Sequence, residues 1–297
     1  MAITIPSTTG NTAKSFGLEV WTNRVLERVD RINRGWDADD VHDLRAALRR
    51  CRTMADALSE VAPGLGWRKL KKTSRNLFHA LGDLRNTQVE RSLVKKFGAP
   101  SDPLRKHLMR HLAHQEKKQR DAAEKALDSF DRKMWRKCSR KLLSKAHFFP
   151  LESAVFQRIA LARLNEAVHL YQKARKRRTS AAWHQTRIAI KRFRYVVENF
   201  LPQRYEVWGE DLEQMQDLLG DLHDLDVLRI DIRQQRAKFG PAIVAPWIEK
   251  IDAQRKVCLQ KFLAKTSVEH SPWVVWRTGL QWGHVLVAAS FPHRRTA

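Results

Sequence analysis

Glycine, proline and cysteine are scarce in this chain of 297 residues, which has 12 glycines, 10 prolines and 3 cysteines. Because glycine and proline interrupt regular structure, their scarcity leaves long stretches with helical periodicity, and few runs alternate with a period of two. The cysteines, Cys51, Cys138 and Cys258, lack the spacing of a zinc site or a disulfide framework. The sequence therefore predicts an all-α fold, and its thiols fit a reducing compartment.

Long apolar runs and phosphate-binding loops are missing as well. No apolar run reaches the length of a membrane-spanning helix, and residues 1–17 lack the charged-then-apolar pattern of a secretion signal. We therefore expect a cytoplasmic protein without a membrane partner. Neither GxxxxGK[ST] nor GxGxxG occurs, so the sequence does not predict a nucleotide site built on a glycine-rich loop.

Acidic residues are few compared with basic ones. The chain has 56 Lys and Arg against 32 Asp and Glu, a formal net charge of +24. Such an excess opposes compaction by self-repulsion and favours anionic partners, among them nucleic acid, anionic membranes and polyphosphates. Charge alone does not choose among these partners.

One basic segment occurs twice. Residues 41–52 and 183–194 both read His-x-x-Arg-x-x-x-(Arg/Lys)-Arg-x-Arg, and the copies are offset by 142 residues (184 minus 42). On a helix, each copy separates into an apolar stripe that faces a core and a neighbouring charged strip. We call the charged strips the basic strips; they consist of His42, Arg45, Arg49 and Arg52 in the first copy, and of His184, Arg187, Lys191 and Arg194 in the second.

The basic strips lack the acidic residues that normally intersperse a solvated helix surface. Like charges at i,i+4 destabilise a helix, so an uninterrupted row of them indicates a ligand that compensates the repulsion. Arginine presents forked donors that match phosphate oxygens, and helical spacing places these donors in a line. The strips are therefore predicted to bind a linear polyanion, with an ordinary solvated face as the alternative.

The repeat also predicts the domain organisation. Leu-Gly-Asp-Leu occurs at residues 81–84 and again at 219–222, an offset of 138. We expect two halves, residues 18–149 and 150–290, each a bundle of about four helices, which together form one domain. A pseudo-twofold axis between the halves would place the two basic strips along one central channel.

The histidines and aspartates near the motifs allow more than one interpretation. His42 and His184 are either helix-start residues bonded to backbone or a neighbouring acid, or phosphate donors whose protonation depends on the ligand. The pairs His42-Asp43 and His223-Asp224 have no accompanying ligands, so no metal site and no cofactor are predicted. Three acids are instead predicted to pair with arginines of neighbouring helices: Asp221, Asp224 and Asp226.

The doubled basic motif, together with Leu-Gly-Asp-Leu-His-Asp-Leu-Asp-Val at residues 219–227, resembles the CHAD family of histidine-containing α-helical domains. The resemblance covers roughly residues 18–290. It implies two four-helix bundles around a basic central channel. It also implies that inorganic polyphosphate binds there without catalysis, in a protein of the cytoplasm or of polyphosphate granules.

The resemblance further implies which residues bind the ligand: His42, Arg45, Arg49, Arg50, Arg52, His184, Arg187, Lys191, Arg192 and Arg194. We add as candidates the basic residues Lys71, Lys72, Arg75, Arg120 and Lys256. One segment departs from the family pattern, because residues 85–89 read Arg-Asn-Thr-Gln-Val where Arg-Asp-x-Asp-Val is usual. The departure weakens the expectation of acidic bracing in the first half and leaves the basic strip unaffected.

Two other functions share some of these features. A nucleic-acid-binding protein would need stacking aromatics or base-reading side chains, and the basic strips have no Asn, Gln or aromatic residue among their cations. A phosphohydrolase would need clustered carboxylates that bind metal ions. We therefore expect non-catalytic polyphosphate binding and keep non-specific nucleic-acid binding as the alternative.

Overall fold

The computed structural model describes residues 17–64, 66–146, 149–267 and 271–288. These residues form helices and no β-strand, which confirms the predicted all-α fold. In chain order the helices are α1 (Leu18–Ile32), α2 (Ala38–Val61), α3 (Trp67–Thr73), α4 (Arg75–Phe97), α5 (Pro103–Asp128), α6 (Arg132–Ala146), α7 (Ala154–Arg177), α8 (Ser180–Phe200), α9 (Pro202–Gln234), α10 (Arg236–Phe239), α11 (Pro241–Thr266) and α12 (Pro272–Ala288).

Capping side chains set the start of several helices. The Asp37 carboxylate accepts hydrogen bonds from the backbone N–H groups of Asp39 and Asp40, at 2.9 and 2.7 Å, where α2 begins. Asp37 is therefore the acidic cap of α2. Thr179 caps α8 through the N–H of Ala182 at 3.3 Å. These caps satisfy amide groups that have no partner within the helix, so both motif helices begin close to their motif histidines.

The structure divides each half into more helices than the four expected. The chain breaks between α3 and α4 at Ser74, whose hydroxyl donates to the Leu70 carbonyl and competes with the helical backbone pattern. The sequence also favours a break near residues 128–129, and there the structure separates α5 from α6 and inserts Phe130 into the core against Trp135. The tryptophans from Trp273 on favour a closing helix, which is α12, whereas residues 292–295, expected to be a loose tail, lie outside the described residues.

Corresponding helices of the two halves make corresponding contacts. In the first half α1 packs on α2 and α6, α2 packs on α4, and α4 packs on α5. In the second half α7 packs on α8 and α12, α8 packs on α9, and α9 packs on α11. Between the halves α2 contacts α8 and α4 contacts α9, so the helices that carry the repeated motifs meet. The pseudo-twofold axis itself stays a prediction.

The apolar stripes of the motif helices lie in the core. Leu44 and Leu48 of α2 and Ile190 and Phe193 of α8 are fully buried. Burial of this apolar surface is the main contribution that holds each motif helix against its own half, and it turns the basic strips toward the space between the halves. Among the described helices, none combines the length and the apolar character that crossing a membrane requires.

Candidate functional site

A cavity of about 660 Å³ opens between α2, α4, α8 and α9. The first basic strip contributes His42, Arg45 and Arg49 to its lining, and the second contributes Arg187 and Lys191. Five of the residues predicted from the sequence are thus brought together from segments about 140 positions apart. His184 lies next to the cavity, against the lining residue His223.

The repeated glycines let the motif arginines lie against the neighbouring helices. A Cβ atom added to Gly82 of α4 would lie 3.4 Å from Nε of Arg45, and one added to Gly220 of α9 would lie 4.0 Å from Nε of Arg187. A larger side chain at Gly82 would displace the Arg45 guanidinium from this position. The two repeated motifs therefore work together, because Leu-Gly-Asp-Leu provides the surface on which the arginine of His-x-x-Arg rests.

Several cationic donors in the cavity have no partner within the protein. The Nε atoms of Arg45, Arg49 and Arg187 are buried and make no hydrogen bond with the described residues. Arg49 donates to the Tyr195 hydroxyl through Nη1 at 3.1 Å, whereas Lys191 has neither a hydrogen bond nor an ion pair in the described part of the chain. Buried donors without acceptors are uncommon in proteins, so their concentration here indicates a binding site for an anion.

Burial and mutual repulsion make these cations costly in the free protein. The pKa of Lys191 falls to about 6, first because the amine is buried and then because Arg187, Arg49 and Arg45 lie close to it. The pKa of Arg45 falls to about 10 for the same two reasons. Charges from both halves act on one another in these shifts, as expected for cations that line one cavity.

The motif histidines have different surroundings. His42 is exposed at the cavity edge, and its pKa is lowered by partial burial and by Arg85 and Arg49. The Nδ1 atom of His184 lies 3.1 Å from Nδ1 of His223, a partner that neither interpretation of this residue anticipated. Burial and the cations nearby lower the pKa of His184 and bring that of His223 to about 4, so one neutral ring donates to the other.

Acidic residues line the α9 side of the cavity. Asp224 lies near Arg187 and Lys191 without a direct ion pair, and burial raises the pKa of its carboxyl group while those cations lower it. Asp226 makes the predicted pair with a neighbouring helix, at 2.5 Å from Arg255 of α11. Asp221 lines the cavity and has no arginine partner among the described residues. The cavity therefore has a basic wall, from α2 and α8, and a partly acidic one.

The last cations of each motif serve as braces and do not line the cavity. Arg52 donates to the Lys71 carbonyl at 2.7 Å, and buried Arg194 pairs with Glu213 at 2.7 Å. Arg50 reaches across the halves to Glu198 at 2.6 Å, and Arg192 pairs with Glu166 at 3.3 Å. Arg52 lies on the same helix face as Arg45 but seven residues further along, which is roughly 10 Å. At that level the Arg52 side chain contacts α3 and not the cavity.

The remaining candidates lie on the outer surface. The Lys71 ammonium pairs with Asp56, and Arg120 pairs with Glu124 on its own helix at 2.9 Å. Lys72, Arg75 and Lys256 are exposed. None of the five lines the central cavity, so a role for them in binding stays a prediction.

The lining includes Arg85 and His223, which were not among the predicted binding residues. They occupy equivalent positions, because 223 minus 85 equals the offset of 138 between the Leu-Gly-Asp-Leu segments. Each residue directly follows a Leu-Gly-Asp-Leu segment, and each has a titratable side chain. These two features of the sequence would have identified them. Within the described residues, no group of three or more His, Cys, Asp or Glu side chains is placed to hold a metal ion.

Comparison with known proteins identifies the fold and the family. A crystal structure of the CHAD domain from the plant Ricinus communis matches with a TM-score of 0.61 and 20% identity, over 89% of each chain, which shows a shared fold. No curated protein matches the sequence. A family model for the CHAD domain matches residues 19–232, which include both basic strips. The chain therefore belongs to the CHAD domain family.

Proposed function

We propose that this protein binds inorganic polyphosphate in the central cavity and does not transform it. The observation that carries the proposal is the set of unpartnered cationic donors on Arg45, Arg49, Arg187 and Lys191, contributed by both halves to one cavity. A chain of phosphates offers an acceptor to each donor in turn, and it relieves the repulsion among the cations.

The lining of the cavity favours a phosphate chain over nucleic acid. Within about 660 Å³ its main cations stand one helical turn apart on α2 and on α8, a spacing that suits the short phosphate repeat of a linear polyanion. The described lining contains no Phe, Tyr or Trp side chain on which an unpaired base could stack. Nucleic acid would therefore bind to the outer surface, through charge and without sequence preference.

The acidic wall supports binding without catalysis. Asp217, Asp221 and Asp224 all lie on α9, and together with the single Glu90 of α4 they are the carboxyl groups of the lining. These carboxyl groups repel phosphate and direct a polyanion toward the basic wall. Metal-assisted phosphoryl transfer would need carboxylates that converge on a metal ion, an arrangement that the described residues do not provide. The proposal includes a cytoplasmic or granule-associated location.

A competition experiment tests the proposal. Labelled long-chain polyphosphate is displaced by unlabelled polyphosphate, duplex DNA, single-stranded RNA or heparin at matched concentrations of charged groups, at a low and a moderate salt concentration. We expect polyphosphate to be the strongest competitor at both, with affinities that fall as salt rises because counterions are released. Equal or stronger competition by DNA at moderate salt would contradict the proposal and favour the nucleic-acid alternative.

The pH dependence of binding provides an independent test. In the free protein the pKa values of His42, His184 and Lys191 are lowered, that of Lys191 to about 6. A polyanion favours the protonated forms, so binding takes up protons. Affinity should therefore be highest where these groups are charged, and should fall as pH rises from about 6 through the pKa values of the complex. Titration calorimetry of the wild type and of a Lys191→Arg variant measures this slope, which the variant should reduce.

A further inference from the structure

Lys191 has unusual surroundings for a lysine. Its Nζ faces the cavity and has no hydrogen bond or ion pair with any described residue. Arg187 of the same helix and Arg45 and Arg49 of α2 surround it with positive charge, and the opposing effect of Asp224 of α9 is weaker than that of any of the three arginines. Three arginines of two helices therefore disfavour the protonated form of the Lys191 amine.

The other titratable groups near Lys191 do not restore its charge. His184 of α8 and His223 of α9 both face it, and the pKa of each imidazole is itself lowered by this lysine. Burial first, and then Arg187, Arg49 and Arg45, bring the pKa of Lys191 to about 6, so the amine is neutral at physiological pH and keeps its lone pair. Lysines next to other cations in partly desolvated sites are the lysines that act as nucleophiles.

We propose that Lys191 is a covalent modification site, at which small anionic acyl donors of the acyl phosphate class transfer their acyl group to the amine. The cavity fits this class of donor because Arg45 and Arg187 present free guanidinium donors beside the amine. These guanidiniums hold the phosphate group of the donor, and the carbonyl group is thereby brought to a neutral nucleophile.

The chemistry requires no further reactant. The Nζ lone pair attacks the carbonyl carbon of the acyl phosphate, a C–N bond forms, and the C–O bond to phosphate breaks. The phosphate leaves with the electron pair of that bond and takes one proton from the amine, so the products are an amide and hydrogen phosphate. Arginines that stabilise the negative charge of the leaving phosphate accelerate this step.

Acylation changes the cavity in two ways. A bound polyanion would favour the protonated, positively charged form of Lys191. The amide cannot take up that proton, so the basic wall loses this charge. The acyl group also occupies part of the cavity. If the proposed function is correct, acylation and polyphosphate binding therefore exclude one another, whereas the covalent step itself does not depend on that function.

The test is site-resolved acetylation of the full chain by acetyl phosphate, followed by peptide mass spectrometry. Lys117 and Lys118, exposed on α5 and without partners in the described residues, are the internal reference. At about pH 7 we expect Lys191 to react at least about ten-fold faster than either, since an ordinary lysine with a pKa near 10.4 is almost wholly protonated there. Its rate should level off above that pH, while the rates of the reference lysines continue to rise.

Two further measurements separate the possible outcomes. Arg187→Gln should slow acetylation of Lys191 at about pH 7 for two reasons. Loss of the repelling charge raises the pKa of Lys191, so that less of the amine is neutral. The variant also lacks one of the donors that hold the phosphate group. Acetylation of Lys191 no faster than that of the surface lysines, or a rate that keeps rising with pH as theirs does, would overturn the inference. Selective acetylation from which long-chain polyphosphate gives no protection would support the modification site and contradict the proposed function instead.

Discussion

The two halves of this protein carry the same basic motif in different acidic surroundings. In the second half Asp224 lies near Arg187, and Asp226 pairs with Arg255. The aligned positions in the first half, at offsets of 138 and 136, are Asn86, Gln88 and Gln119. The first half therefore lacks a carboxylate at positions 86 and 88, and both glutamines retain a buried side-chain oxygen without a hydrogen bond.

The difference indicates that the two strips contribute unequally to binding. Arg45 has no carboxylate among the charges that most affect it, whereas Asp224 is the first charge to act on Arg187. An arginine without a counterion gains more from an incoming phosphate than one that is already partly neutralised. We therefore expect the first strip to dominate affinity, and the second to provide two of the three groups whose protonation changes on binding, His184 and Lys191.

The largest expected effect is the loss of long-chain binding when either strip is neutralised. Both the double variant Arg45→Gln with Arg49→Gln and the double variant Arg187→Gln with Lys191→Gln should weaken polyphosphate binding at least about 100-fold, since hydrogen bonds to charged groups contribute roughly 1.5–3 kcal/mol each. A long chain contacts both strips, so each loss also removes the benefit of intramolecular binding. Titration calorimetry measures both affinities.

The control removes the same charge elsewhere. Lys117→Gln with Lys118→Gln on exposed α5 should change affinity less than about three-fold, since surface charges are screened by salt. A very short polyphosphate that reaches one strip should lose affinity only in the variant of that strip. Two independent long-chain sites, each abolished by one variant, would contradict a shared cavity.

The second prediction compares the braces of the two motifs. Glu198 is buried, with 6% of its surface exposed, and pairs with Arg50 across the halves. Glu198→Gln should lower the free energy of unfolding by about 3 kcal/mol, because it removes a buried charge from the pair and leaves the half-buried Arg50 guanidinium without its counterion. Glu166→Gln, at the exposed partner of Arg192, should cost less than about 1 kcal/mol. Urea unfolding measures both, and equal costs would show that burial does not distinguish the two braces.

The third prediction concerns equivalent positions that differ in residue type. Lys191→Gln should stabilise the free protein by on the order of 1–2 kcal/mol near neutral pH. The lysine destabilises the folded state because its amine is protonated in the unfolded chain and loses that proton in the cavity. Arg49→Gln should give no such gain, since it removes the hydrogen bond to Tyr195. The cost of Lys191 grows as pH falls from the ordinary lysine value of 10.5 to about 6. The advantage of the variant should therefore shrink as pH rises above neutrality, and an advantage constant with pH would contradict this explanation.

The smallest expected effect comes from exchanging the acidic surroundings of the two strips. Asn86→Asp places a carboxylate on the lining near the first strip, and Asp224→Asn removes the one near the second. We expect the first change to weaken polyphosphate binding about three- to ten-fold and the second to strengthen it by a similar factor, which corresponds to roughly 1 kcal/mol. Opposite signs in the two variants would confirm the comparison, and the same sign in both would refute it.

The sequence predicted the parts of this structure that depend on helical periodicity. The apolar stripe of α2, with Leu44 and Leu48, and the doubled motif were sufficient to place the motif helices in a core with their cations turned outward. The sequence did not predict which cations reach the cavity. Arg45 and Arg52 lie on the same helix face, and only the packing of α3 against Arg52 separates a lining residue from a brace.

The residues that sequence reasoning missed belong to the second repeated segment. Arg85 and His223 line the cavity because α4 and α9 contact each other between the halves. A contact between helices so far apart in sequence depends on tertiary packing, and periodicity within either helix gives no indication of it. The bond between His184 and His223 joins α8 to α9, two consecutive helices of the second half. It also depends on how helices pack against one another, which periodicity within one helix does not indicate.

The brace from Arg50 to Glu198 joins the halves in one direction only. Its counterpart by the offset of 142 would join Arg192 to Asp56, and both of these residues are instead paired within their own halves. A dimer of two first halves would bring Arg50 twice and Glu198 not at all, and would have to take Asp56 away from Lys71. The brace thus needs Arg50 from the first half and Glu198 from the second, so neither half can replace the other at this contact.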